Sequence, residues 1–219
     1  VVFDGQDPAV VILHGLAGSG REFVPTAQHL AGRKVILVDQ RGHGHSTRVP
    51  ADVSRAAFVG DVARVIAAES TGPVDVVGQS MGAHTAMLVA ATHPALVRKL
   101  VLLEGNEGGG SPQEHSALGD YFRSWPVPFP DSAAAPRFDA EVMVAVISEL
   151  REPRGLEWES VEAPALVLYA DGGMFTEEQK AAFVNRGQHV MRVDLTDASH
   201  DAHLDAFDQW ITALQEFLR

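Results

Sequence analysis

Gly78-Gln79-Ser80-Met81-Gly82 constrains this chain more than any other stretch. It follows a β-branched apolar run, Val74 to Val77, and opens an alanine-rich run, Ala83 to Ala91. That is a strand, a sharp turn and a helix, with a serine at the apex. Glycines on either side, lacking Cβ atoms, let strand and helix approach closely and let the turn take a strained conformation. The Ser80 hydroxyl is then pushed clear of the backbone, and the N-terminal end of the helix favours negative charge beside it. G-x-S-x-G in this setting has the form of a nucleophile elbow.

The rest of the chain repeats the alternation. Short apolar runs at Val1–Phe3, Val10–Leu13, Val35–Val38, Leu100–Leu103, Leu166–Tyr169 and Val190–Val193 read as strands. Most are continuously apolar, as expected of strands covered on both faces. Between them lie helical patterns. In Ser54–Glu69, Phe58, Val62, Val65 and Ile66 share a face, and in His203–Leu218 the stripe is Leu204, Phe207, Ile211, Leu214 and Leu218. Ser54, Asp139 and Thr176 are expected helix N-caps. The pattern predicts an α/β fold: a mostly parallel central sheet with helices on both faces.

Residues 105–160 break the rhythm. They contain no good buried strand, begin near Gly108-Gly109-Gly110 and include Trp125-Pro126-Val127-Pro128-Phe129-Pro130. A structureless loop of that length is improbable in a compact domain. We expect a small cap, with a helix at Phe138–Leu150, inserted before the penultimate strand into a core formed by residues 1–104 and 161–219.

Composition narrows the function. The chain has no cysteine, which excludes disulfides, thiolate metal sites and cysteine nucleophiles and fits a cytoplasmic protein. A formal net charge of -12 repels phosphate backbones and anionic lipid, so neither nucleic acid nor membrane is an expected partner. No apolar run reaches the roughly 18 residues that would span a bilayer. The first residues, Val1-Val2-Phe3-Asp4, do not read as a secretory leader.

A serine hydroxyl needs a base. Among 10 histidines, His200 is the expected one. It lies in the polar stretch Thr196 to Asp201, after the last strand, where a parallel sheet delivers loops to the same edge as Ser80. His203, three residues on, reads as a helix-face residue. An oxyanion would be held by two backbone amides: Met81, after the nucleophile, and Leu16, in the turn His14-Gly15-Leu16-Ala17-Gly18. His14 reads as a brace for that turn. No cofactor or metal is called for, and His43-x-His45 lacks the supporting ligands of a metal site.

His14-Gly15, the segment Asp39-Gln40-Arg41-Gly42-His43-Gly44-His45-Ser46, the Ser80 elbow and Ser199-His200 occur in this order across nearly the whole chain. With them the sequence resembles the α/β-hydrolase superfamily. The resemblance implies a serine hydrolase, and folding and loop-shaping roles for Asp39 to Ser46. It also implies an acid after the strand Ala165–Tyr169, in a pattern like G-x-x-D. Here the stretch reads Ala170-Asp171-Gly172-Gly173, with glycine at the acid's place. Two carboxylates remain. Glu104, ending the run Leu100–Leu103, occupies the site where some members, such as certain haloalkane dehalogenases, carry the acid. A charged Glu there needs a partner. Glu104 is the expected acid and Asp171 the alternative.

The expected substrate is a small, largely apolar carboxylic ester or lactone. The cap aromatics Tyr121, Phe122, Trp125 and Phe129 would either wall its pocket or merely pack the cap. A carbon–carbon bond hydrolase of the meta-cleavage type, whose elbow also reads Ser-Met-Gly, and a perhydrolase are compatible with the same residues. A non-catalytic ligand receptor is the reading from another class, resting on Gly173. Oligomeric state stays open.

Overall fold

The computed structural model describes residues 1–110, 112–124 and 138–219. Continuous Val, Ile and Leu runs form a seven-stranded sheet: β1 (Val2–Phe3), β2 (Gln6–Leu13), β3 (Arg33–Val38), β4 (Val74–Gln79), β5 (Val97–Leu103), β6 (Ala165–Gly172) and β7 (Val190–Ser199). The spatial order is β1-β3-β2-β4-β5-β6-β7, and all pairs are parallel except β1 with β3. The helices are α1 (Val24–His29), α2 (Arg55–Glu69), α3 (Met81–Thr92), α4 (Pro112–Ser124), α5 (Ala140–Glu149), α6 (Gly155–Glu159), α7 (Glu177–Arg186), α8 (Ala202–Asp205) and α9 (Phe207–Leu218).

Alternate strand residues point to opposite faces, and both faces are buried. Val11, Val76, Leu102 and Val167 meet α2, α3, α6 and α7 through Val62, Met87, Trp158 and Phe183. Ile12, Val77, Val101 and Leu168 meet α1 and α9 through Ala27, Trp210 and Leu214. A third cluster joins α5 to the sheet's carboxyl edge, with Val142, Met143, Val146 and Ile147 against Phe58 and Met81. Within residues 105–160, α6 packs Trp158 into the core while α5 joins this separate cluster.

The expected caps form. Ser54 accepts from the Ala57 amide, Asp139 from Glu141 and Val142, and Thr176 from Gln179. Two expectations change. The polar stretch before His200 is strand as far as Ser199, because Asp171 on β6 binds its amides. The single helix expected over His203–Leu218 breaks at Ala206 into α8 and α9, leaving Leu204 exposed rather than in the apolar stripe. Among the described residues, no helix is long and apolar enough to cross a membrane.

The order β3-β2-β4 places a reversal of direction between β2 and β4. In open parallel sheets ligands bind at the carboxyl ends beside such a switch point. The turns leaving β2 and β4 carry Leu16 and Ser80.

Candidate active site

Ser80 has φ 54° and ψ -119°, a conformation side chains rarely adopt. The surroundings enforce it. The Ser80 amide donates to Leu103 O at 2.9 Å, and a Cβ at Gly82 would overlap the carbonyl oxygens of Leu13 and His14. The start of α3 is therefore pressed onto β2. A Cβ at Gly15 would lie 3.3 Å from that of Ser80, so the turn after β2 lies against the serine. In that turn Leu16 and Ala17 pack on the apolar cluster containing Met81. The two expected oxyanion residues thus lie in turns packed against each other, and the first amides of α3 have no acceptor within the helix.

His14 braces the turn. Its Nδ1 donates to Gly15 O at 2.7 Å and its Nε2 accepts from the Gln40 amide at 3.0 Å. Burial keeps the ring neutral, outweighing the pull of the Gly15 carbonyl, Glu22 and Asp39. Asp39 ties two loops together, accepting from the amides of Gly20 at 2.8 Å and His45 at 2.9 Å.

Glu104 is the first residue beyond β5 and also has positive φ, at 49°. Its side chain is fully buried. The carboxylate accepts from the amides of Ala170 at 2.8 Å and Met174 at 3.0 Å, and lies 3.2 Å from His200 Nδ1. Burial alone would raise its pKa. The hydrogen bonds from His200 and the two amides outweigh that and hold it below the usual range, so it is ionised at neutral pH. A Cβ at Gly173 would overlap this carboxylate. The glycine at the usual acid position is the space that Glu104 fills.

The alternative, Asp171, is not brought to the ring. It is exposed, and its oxygens accept from the amides of Gly172 at 2.9 Å, Asp197 at 3.0 Å and Ala198 at 3.0 Å. Bonding to the amides of the neighbouring strand β7 is what turns it away from His200. The cap aromatics divide. Phe122 is buried in the cluster with Met81, 6.0 Å from Phe138 and edge-on to it. Tyr121, its neighbour on α4, is 53% exposed. Trp125 and Phe129 lie outside the described residues.

Two groups near His200, Gln79 and Asp205, drew no attention in the sequence as site residues. Gln79, next to Ser80, donates to His200 O at 3.1 Å. Asp205 accepts from the Ser199 amide at 3.2 Å and from its hydroxyl. His203 is buried and stacked on Phe23 at 4.3 Å. The available signal for Gln79 was a long polar side chain ending a buried apolar strand. Among the described residues, four non-glycine residues have positive φ: Ala17, Ser80, Glu104 and Asp197, all in segments that converge on this edge.

A family model for the alpha/beta hydrolase fold matches residues 8–145. The sn-1-specific diacylglycerol lipase ABHD11 of Mus musculus is 38% identical over 115 residues, 51% of this chain and 37% of that protein. The 2-(acetamidomethylene)succinate hydrolase of Mesorhizobium japonicum is 33% identical over 101 residues, 46% of this chain and 36% of that protein. The match thus spans little more than a third of these relatives' length. The crystal structure of the enol-lactonase from Burkholderia xenovorans LB400 superposes with a TM-score of 0.84 at 20% identity, over 98% of this chain and 92% of that one, a likeness of fold. With the family model covering more than half of its residues, the chain belongs to the alpha/beta hydrolase family.

Proposed function

We propose that the protein is a serine hydrolase acting by acyl transfer on a small carboxylic ester or lactone. His200, oriented through Nδ1 by Glu104, takes the Ser80 proton as Ser80 attacks the carbonyl carbon. The amides of Met81 and Leu16 receive the developing oxyanion. His200 then protonates the leaving alcohol, and the same ring activates the water that cleaves the acyl-enzyme. No metal or cofactor enters this scheme.

The observation that carries this reading is the 3.2 Å pairing of His200 Nδ1 with the buried, ionised Glu104, beside a serine in a left-handed turn. A pairing of that kind fixes the imidazole tautomer that leaves Nε2 free to accept. It also weighs against a non-catalytic receptor, since Glu104 offers a carboxylate where position 173 has none. The relatives named as a lipase, a succinate hydrolase and an enol-lactonase are consistent with hydrolysis of carboxylic acid derivatives. We read residues 105–160 as a cap whose α5, with Phe122 of α4, gives the acyl group an apolar wall.

Labelling with a fluorophosphonate, followed by intact-mass and peptide analysis, tests the proposal. One adduct on Ser80, with turnover of short-chain esters, is the expected result. No adduct on folded protein would overturn it.

A further inference from the structure

Two side chains hold His200, one at the ring and one at the backbone. Glu104 lies 3.2 Å from its Nδ1, and the Gln79 amide donates from Nε2 to its carbonyl at 3.1 Å. The second contact crosses the sheet. Gln79 is the last residue of β4, whereas His200 follows β7, and β5 and β6 lie between those strands. At the usual strand spacing β4 and β7 are about 14 Å apart, so the chain after β7 has to reach back across the carboxyl edge to bring a base to Ser80.

Gln79 is only 3% exposed, and its carboxamide sits between two turns. Nε2 faces two oxygens, His200 O and, at 3.4 Å, Asp201 Oδ1. Turning the amide over would set Oε1 against both, so these acceptors fix which end points at the base loop. Oε1 lies on the other side, against the turn after β2, where a Cβ at Gly15 would fall 2.2 Å from it. Glycine at position 15 is the room in which the carboxamide sits. One side chain thus abuts the turn that carries Leu16 and bonds the loop that carries His200, and its own backbone continues directly into Ser80.

The two contacts constrain different things. Pairing of Nδ1 with Glu104 sets how the imidazole is rotated and which nitrogen is left free. It acts at the tip of the side chain and does not by itself fix the backbone beneath. The Gln79 bond acts on that backbone. We propose that Gln79 is a positioning residue for the reaction: it fixes the separation of base and nucleophile by tying the His200 carbonyl to the residue next to Ser80. Leaving a buried amide donor without its acceptor is costly, which holds the tie in place. Gln79 and Ser80 are consecutive, so a shift of the elbow carries the base loop with it.

This inference rests on the serine-hydrolase reading, and the experiment separates the two. Gln79→Met keeps the length of the side chain and removes the donor. kcat and KM for 4-nitrophenyl butyrate are measured in the wild type, Gln79→Met, His200→Ala and the double variant, with the melting temperature of each. A misplacement of about 1 Å costs on the order of 100-fold, so Gln79→Met is expected to lower kcat by about that factor while KM changes by less than about threefold. In the His200→Ala background the residual rate comes from the oxyanion site and binding alone, and the same substitution is expected to change kcat by less than about twofold. A side chain that merely packs the core would cost the same factor in both backgrounds. Such equal losses, or a Gln79→Met kcat within about threefold of an active wild type, would overturn the positioning role and leave the hydrolase reading intact. If Gln79→Met does not fold, Gln79→Glu takes its place in the same comparison: it keeps the shape and sets an oxygen against His200 O, so its loss should be no smaller. No turnover by the wild type, together with no fluorophosphonate adduct, would overturn the hydrolase reading itself.

Discussion

The carboxylate of Glu104 occupies the space that a side chain at position 173 would need. It enters from β5 and is received by the amides of Ala170 and Met174, on either side of the glycine in the turn after β6. One carboxylate and one absent Cβ are therefore two halves of a single arrangement, and each predicts the effect of changing the other.

Gly173→Asp places a second carboxylate on top of the first. The like charges and the overlap should cost at least tenfold in kcat/KM and lower the melting temperature. Gly173→Asp combined with Glu104→Ala removes both conflicts and presents an acid from the turn after β6. The double variant should recover at least tenfold over the Glu104→Ala parent. Steady-state kinetics on the three proteins decides this: additive losses would mean that position 173 cannot substitute for Glu104.

Glu104→Gln keeps the shape but not the charge. An acid-to-amide change leaves the base in the wrong tautomer and lowers kcat on the order of 10⁴-fold in a serine triad. Asp171→Asn should behave differently. Its amide group can accept at only one of the two oxygens' places, so one of the Asp197 and Ala198 amides loses its acceptor. The expected result is a lower melting temperature and a loss in kcat well under that of Glu104→Gln. Equal kinetic losses in both would contradict the pairing of His200 with Glu104.

Ser80→Gly should raise the melting temperature while removing activity. Serine at φ 54° and ψ -119° carries backbone strain, of order 1–3 kcal/mol in such regions, which glycine does not feel. Ser80→Ala retains a Cβ and should not share the gain. Thermal unfolding of both variants, side by side, isolates the backbone contribution from the loss of the hydroxyl.

Acid should weaken the fold well before the carboxylates titrate. Burial, with like-charge repulsion from neighbouring cations, holds His43 and His84 at about 3, whereas they return to about 6.5 when the chain unfolds. Between those values the unfolded chain binds more protons, so stability rises with pH there and is lost as pH falls from 6.5 toward 3. Each such histidine contributes up to about 1.4 kcal/mol per pH unit in that window. Glu104, held low in the folded state, adds its own loss only once pH drops through the carboxylate range. Urea titrations at pH 7, 6 and 5 should give a falling midpoint, and His84→Gln should flatten the slope.

Much of this architecture was legible from local chemistry. The run Val74 to Val77 followed by Gly78 and Gly82 could hardly be anything but a strand packed tightly against a helix, and Ser54, Asp139 and Thr176 cap the helices their spacing announces. The position of Glu104 at the end of a buried strand was equally visible in Leu100 to Leu103. Which carboxylate would meet His200 was not, because it depends on the volume above Gly173 and on Asp171 finding the amides of β7, and neither is a property of nearby sequence. The break at Ala206 escaped for a similar reason. Asp205 is recruited by Ser199, and that contact stops α8 after one turn. Gln79 looked like a spacer in the elbow, and only its bond to His200 gives it meaning.

β4 and β5 are hydrogen-bonded neighbours with Gln79 opposite Leu103, so Ser80 and Glu104 leave the sheet side by side. Their separation is set by strand spacing, not by any loop. During synthesis both can be in place once residue 104 has emerged, about halfway along the chain. The imidazole of His200 and the amides that steady Glu104 belong to the half made later, from β6 onward. On the proposed reading, the nascent protein carries its nucleophile and its acid early and harmlessly, and is armed only when the last strands dock.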